Sequence, residues 1–197
     1  MIFTSDNGGL GGYRDAGLEG GAEVTSNAPL RGGKGMLEEG GIRVPLLVSW
    51  PGHTAPGSLC PELVTTVDFY PSLLAAAGVP LDGTSLLDGL DLTPLWRGTV
   101  NRLAARDLVW HMPVYLECSA ELGTWRCTPS AAIRRGRWKL IERFETGAAE
   151  LYDLVEDPGE ATDLAEKRQD LTRELRSALE RWRSETQAAM PREEPLR

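Results

Sequence analysis

Asp6 and Asn7 close a short apolar run and are followed at once by Gly8 and Gly9. A carboxylate beside an amide carbonyl offers the hard oxygen donors that calcium or magnesium takes. Neighbouring side chains on a strand point to opposite faces, so both reach one ion only if the strand ends there and the backbone turns. The two glycines permit that. The plainer alternative is an Asp-Asn-Gly turn with no ion. Lys34 stands in a glycine frame, Gly32-Gly33-Lys34-Gly35, whose small residues let an anion approach its ammonium closely. A solvated loop lysine is the competing reading. A phosphate-cradling loop fails on two positions, because residue 28 is Ala and Lys34 is followed by Gly35 instead of Ser or Thr. His111 follows a strand-like run and precedes Met112-Pro113, and imidazole is a common general acid. His53, after Trp50-Pro51-Gly52, is a lesser candidate.

Cys60, Cys118 and Cys127 are too few and too irregular for a disulfide framework, and neither a Cys-x-x-Cys pair nor a surplus of histidines supports zinc. One bridge, Cys118 to Cys127, stays open in an oxidising compartment. Arg31, Glu39 and Arg43 read as paired charges that pin a glycine-rich loop. The 197 residues, 41% hydrophobic and 25% charged, fit an ordinary globular chain. A formal charge of -8 argues against nucleic acid as a partner, which requires a basic stripe. No apolar run is long enough to span a bilayer, and the first residues lack the pattern of a signal peptide.

The elements that must carry these residues follow from periodicity. Ile2-Phe3-Thr4 is a short strand with no obvious partner, which suggests a sheet whose other strands lie outside this sequence. Residues 8–41 hold twelve of the 22 glycines and read as loop. Leu46 to Trp50 reads as a buried strand, parallel to its neighbour. Val67 to Gly78 predicts a helix with Asp68 as N-cap and Gly78 as its stop. From Asp107 onward come four strand candidates, at residues 108–110, 132–134, 138–141 and 150–152, the middle two joined by a turn at Arg135-Gly136. Leu171, Leu175, Ala178, Leu179 and Trp182 lie along one helical stripe. The tail from Pro191 should fray.

Several blocks occur in an order and spacing that resembles the second half of the formylglycine-dependent sulfatases. They are Phe3-Thr4-Ser5-Asp6-Asn7-Gly8, Asn27-Ala28-Pro29-Leu30-Arg31-Gly32-Gly33-Lys34-Gly35, Glu39-Gly40-Gly41-Ile42-Arg43-Val44-Pro45 and Ala132 to Ile141. Trp50-Pro51-Gly52, Asp68-Phe69-Tyr70-Pro71-Ser72, Leu87-Asp88-Gly89-Leu90-Asp91, Glu150-Leu151-Tyr152-Asp153-Leu154 and Asp157-Pro158-Gly159-Glu160 complete the set. The resemblance covers nearly the whole chain. It implies an α/β fold, in which a partial alkaline-phosphatase-like sheet region (1–100) precedes a small α+β domain (101–197) with about four antiparallel strands and a long helix. It further implies that Asp6 and Asn7 supply part of a calcium site, completed by acidic residues from an amino-terminal half that this chain does not contain. Lys34 would hold the sulfate group, and His111 falls where some members place a histidine near the substrate. The substrate would be a sulfated small molecule or glycan, in an exported or lysosomal enzyme.

The family's nucleophile is a formylglycine made from the cysteine of a Cys-x-Pro-Ser-Arg motif. Cys127-Thr128-Pro129-Ser130-Ala131 approaches that motif, but its fifth residue is Ala where Arg is required and it lies far from the family's position, so it reads as coincidence. The chain is therefore expected to be catalytically silent alone and to bind calcium weakly. A phosphate or phosphonate ester hydrolase of the same superfamily and a non-catalytic anion-binding module are the alternatives.

Overall fold

The computed structural model describes residues 1–14, 24–81, 83, 86–119 and 124–191, with 117–119 and 124 as backbone only. In chain order the elements are β1 (Ile2–Thr4), α1 (Glu39–Ile42), β2 (Leu46–Val48), a 3-10 turn (Thr66–Asp68), α2 (Phe69–Ala76), α3 (Thr93–Trp96), β3 (Asp107–Met112), β4 (Leu116–Ser119), β5 (Thr124–Cys127), β6 (Ser130–Arg135), β7 (Trp138–Arg143), β8 (Ala149–Asp153) and α4 (Gln169–Thr186). The chain divides into two compact units that are not contiguous in sequence: 1–4 with 45–106, and 5–44 with 107–197. The sequence reading divides it at residue 100 instead. It had no means of seeing that the glycine-rich segment gathers with the carboxy-terminal strands. The frayed tail expected beyond Pro191 lies outside the described residues.

In the first unit β1 pairs antiparallel with β2, Phe3 opposite Leu47. The expectation of an unpaired first strand and a buried parallel second one is thus corrected, and both members of that central pair are more than half exposed. A 3-10 turn precedes α2, and Asp68 holds the N-cap position of α2 as expected but makes no side-chain bond to that helix, closing the capping box of the 3-10 turn through the Thr65 amide. The fully buried carboxylate instead takes a two-pronged ion pair from Arg106, both contacts 2.6 Å, and accepts the amides of Leu90 and Thr65 at 2.8 Å. Burial pushes this carboxyl up, but Arg106 and the two amides outweigh it and hold it below the usual range. The predicted stop holds, since Gly78 takes φ +69° just beyond the helix. Ser72 Oγ donates to Asp68 O and accepts from Leu92 N, fastening α2 to the segment before α3.

The second unit is built on an antiparallel sheet in the order β3-β6-β7-β8, with a separate hairpin β4-β5. The four expected strands and the final helix are all present; the hairpin was not foreseen. Alternation along each strand sorts side chains onto two faces. One face carries Ala131, Ile133, Leu140 and Leu151 and packs against Leu175, Ala178 and Leu179 of α4. These are the stripe positions read from the sequence, and each large aliphatic side chain so buried contributes roughly 1.5–3 kcal/mol. The other face carries Ala132, Ile141 and Tyr152 and packs against Leu37 and Ile42 of the glycine-rich segment. That segment is thus a layer laid on the sheet opposite α4. Among the described residues no helix is long and apolar enough to cross a membrane.

Candidate functional site

Backbone hydrogen bonds fold the glycine-rich layer onto itself. Gly8 N donates to Gly41 O at 2.9 Å, and Lys34 N donates to Gly9 O at 3.0 Å. Asn27 adds a three-way tie, its Oδ1 accepting from Gly9 N while its Nδ2 donates to Gly9 O and Gly32 O. Backbone meets backbone without side chains between. A Cβ at Gly8 would lie 1.7 Å from Gly40 O, and one at Gly33 would lie 2.2 Å from Gly11 O. The glycines read as loop residues are therefore close-approach positions.

This layer brings Lys34 and the Asp6-Asn7 pair into one neighbourhood, for the main chain of Lys34 is bonded two residues beyond Asn7. Ser5 Oγ donates to Asn7 O at 2.8 Å, and Asn7 Nδ2 donates to Gly8 O at 3.0 Å. The amide is so oriented that Oδ1, the oxygen a cation would use, takes no donor among the described residues. Asp6 and Lys34 are exposed, and among the described residues neither charged group has a partner. Nor do three or more His, Cys, Asp or Glu side chains gather there as a metal site. The donors present fit calcium in kind, one carboxylate and one amide oxygen, but amount to part of its six to eight.

Two buried ionic clusters brace the layer against the sheet. In one, Lys139 of β7, fully buried, places Nζ 3.0 Å from Glu39 Oε1 and 2.8 Å from Glu160 Oε1. Glu39 also meets Arg134 at 3.2 Å and Arg43 at 3.8 Å, and Glu160 Oε2 accepts the Glu39 amide at 2.7 Å. Burial pushes the Glu160 carboxyl up, although Lys139 and the Glu39 amide pull the other way. Glu160 holds this position with φ +53°, in the left-handed region that costs a residue other than glycine about 1 kcal/mol or more. In the second cluster Glu38 accepts from Arg143 at 2.7 Å and from Arg31 at 3.3 Å. Arg31 also bonds Tyr152 Oη at 2.7 Å, and both guanidinium groups reach Glu150. Burial pushes Glu150 up, but Arg143, the Tyr152 hydroxyl and Arg31 prevail and hold it low. Burial likewise raises the Tyr152 phenol, reinforced by Glu150.

The pinning role read for Arg31, Glu39 and Arg43 is what these contacts display. Their partners Lys139, Arg143, Glu150 and Glu160 carried no role in the sequence reading. One signal was available: Lys139 and Arg143 fall at the same alternating positions as buried Ile141, where a charge must find a partner.

His111 is not brought to this neighbourhood. It lies on the α4 face of the sheet, its ring 5.5 Å from that of Phe144 and 5.9 Å from that of Trp182, with Nε2 2.7 Å from Ala189 O. The sheet stands between it and the layer that carries Lys34. His53 stacks on Trp50 at 4.0 Å, in the other unit. Cys127 is a buried free thiol, so the bridge to Cys118 is absent. Burial pushes that thiol up, which disfavours the thiolate.

The family described as N-sulphoglucosamine sulphohydrolase, C-terminal, matches residues 33–185. A sulfatase of Formosa agariphila is 33% identical over 196 residues, covering 92% of this chain and 32% of its own length. The steryl-sulfatase of Mus musculus is also 33% identical, with 91% of this chain and 31% of that protein covered. Among solved structures, Ps i-CgsB in complex with k-i-k-neocarrahexaose superposes with a TM-score of 0.69 at 27% identity, over 92% of this chain and 35% of that one. The chain thus spans about a third of the length of the relatives it matches.

Proposed function

The chain belongs to the N-sulphoglucosamine sulphohydrolase C-terminal family of sulfatases, and from that premise we propose that it is the carboxy-terminal part of a sulfuric ester hydrolase, carrying the sulfate-holding lysine and part of a calcium site. The observation that carries this reading is the bond between Lys34 N and Gly9 O, which seats the lysine beside Asp6 and Asn7 in one braced layer. Lys34 directs its ammonium at the sulfuryl oxygens and stabilises the charge that develops as the S–O bond to the leaving alcohol breaks. Asp6 and Asn7 would supply part of the oxygen ligands of a calcium ion, whose chemistry there would be added positive charge to offset that of a sulfate ester. Glu38 and Glu39, four and five residues after Lys34, hold the loop in register with the sheet and so fix the backbone from which the lysine side chain springs. His111, across the sheet, takes no part, so the proton for the leaving group comes from elsewhere in a complete enzyme. The substrate is a sulfated small molecule or glycan, and without a formylglycine motif the chain alone turns nothing over.

The test is a titration of the 197-residue chain with sodium sulfate, followed by backbone amide chemical shifts, beside an aryl sulfate assay with added calcium. The expected result is shifts confined to residues 8–9 and 32–35, lost in Lys34→Ala, with no hydrolysis. Shifts that persist in Lys34→Ala, or turnover abolished by Cys127→Ala, overturn the reading.

A further inference from the structure

A half-exposed aromatic pair stands next to the Lys34 loop. Tyr115, just before β4, and Trp125 of β5 lie with ring centroids 5.0 Å apart at 50°, and each is about two-fifths exposed. The β4-β5 register places Leu116 opposite Cys127, so Leu116, Cys127 and Trp125 share one face of the hairpin. Leu116 abuts the loop: a Cβ on Gly35 would lie 2.1 Å from its Cδ2, and the φ of +84° at Gly35 favours glycine immediately after Lys34. Trp125 is two residues, roughly 7 Å, along that face from Cys127. On the opposite face Arg126 donates to Gly11 O at 2.9 Å and stacks over Tyr13 at 4.5 Å, fastening the hairpin to the same glycine-rich layer. Tyr115 Oη donates to Glu145 Oε1 at 2.7 Å, which fixes one ring of the pair before anything binds.

Exposed aromatic rings held rigidly cost stability unless something covers them, and they bind with little further loss of rotamer freedom. An anion held by Lys34 leaves the body of its ester to extend over the neighbouring surface, and on the hairpin side that surface begins at Leu116, with Trp125 diagonal to it across the strand pair and Tyr115 against Trp125. A pyranose presents a face of C–H groups to an aromatic ring and a rim of hydroxyls to water, which matches a ring pair with a polar handle at Tyr115.

Resting on the assignment of Lys34 to the sulfate, we propose that Trp125 and Tyr115 form a stacking platform for the sugar ring of a sulfated saccharide, making them specificity-determining residues. The test uses the full chain and three probes: inorganic sulfate, glucosamine 6-sulfate and an aryl sulfate, with the backbone amides of residues 32–35, present in every variant but for position 34 itself, as reporter. The expected result is that Trp125→Ala weakens the sulfated sugar about fivefold and leaves inorganic sulfate unchanged, whereas Trp125→Phe retains most of the affinity. Lys34→Ala should weaken all three. Equal sugar affinity in Trp125→Ala and the parent, with sulfate binding still dependent on Lys34, overturns the platform alone. A loss confined to the aryl sulfate overturns the sugar assignment. No response of any probe at millimolar concentration, or binding indifferent to Lys34, overturns the anion-site reading beneath it. Unchanged amide spectra away from the hairpin exclude misfolding of the variants, and Tyr115→Ala provides a second substitution with the same expected direction.

Discussion

Lys139→Met takes the only ammonium out of a cluster in which three charged side chains are essentially inaccessible to water. Glu39 keeps Arg134 at 3.2 Å and Arg43 at 3.8 Å, but among the described residues Glu160 keeps the Glu39 amide as its carboxylate's one donor, with Arg134 acting on it only at longer range. Removing one partner of a buried pair costs about 3–5 kcal/mol because the other is left charged and unpaired. Methionine fills much of the lysine stem's volume, and Arg134 still compensates Glu39, so the lower end, about 3 kcal/mol at neutral pH, is expected. For a chain of this length that lowers the melting temperature by roughly 6–12 °C. The pH dependence has a definite sign. Burial already raises the Glu160 carboxyl, and removing Lys139 takes away the first influence opposing that rise. The folded variant then binds a proton that the unfolded chain does not. Its stability therefore rises as pH falls from the folded pKa of Glu160 toward the ordinary glutamate value, by up to about 1.4 kcal/mol per pH unit. Urea unfolding of parent and variant across that range, read by hydrogen exchange in β7 and α1, measures both quantities. Lys139→Met with Glu160→Gln should recover much of the loss at neutral pH. A single-variant cost below about 1 kcal/mol, independent of pH, would refute the view that this cluster clamps the loop to the sheet.

Gly8→Ala forces a Cβ to within 1.7 Å of Gly40 O, a backbone atom that cannot rotate away, so a loss of about 1–3 kcal/mol or more is expected by thermal melting, together with weaker sulfate binding. Arg106→Met leaves the carboxylate of Asp68 buried, at a cost of about 3 kcal/mol by urea unfolding of the first unit. Because Asp68 is held low in the parent, that unit should lose stability as pH falls through its folded pKa, and the variant should lose less over the same range. Iodoacetamide should label exposed Cys60 in the native chain and spare buried Cys127, as peptide mapping would register. The exposed pair Phe3 and Leu47, on strands with open edges, should drive concentration-dependent association, which sedimentation velocity measures and Phe3→Thr with Leu47→Thr should reduce.

Local pattern sufficed for the second unit's sheet and helix, because period-2 and period-3.6 alternation mark a face wherever one side is dry. Leu140 and Leu151, or Leu175 and Leu179, announce their burial by spacing alone. The glycine count likewise foretold an irregular segment over the described residues 8–14 and 24–38, though not the short helix α1 that follows, and the charges at 31, 39 and 43 foretold that it would be pinned. What spacing does not encode is which distant segment lies on which face. Lys139 and Glu39 are 100 residues apart, and nothing local to either says that one neutralises the other. Asp68 sits where a helix cap belongs, yet its carboxylate serves Arg106, 38 positions away. His111 has the right residue type and the right neighbours, but strand alternation turns it toward α4 while Lys34 lies in the layer behind the sheet. Residue type determined what chemistry was available; the stacking of two layers on opposite faces of one sheet decided which of those groups meet, since a strand's side chains point both ways and only packing selects the partner for each.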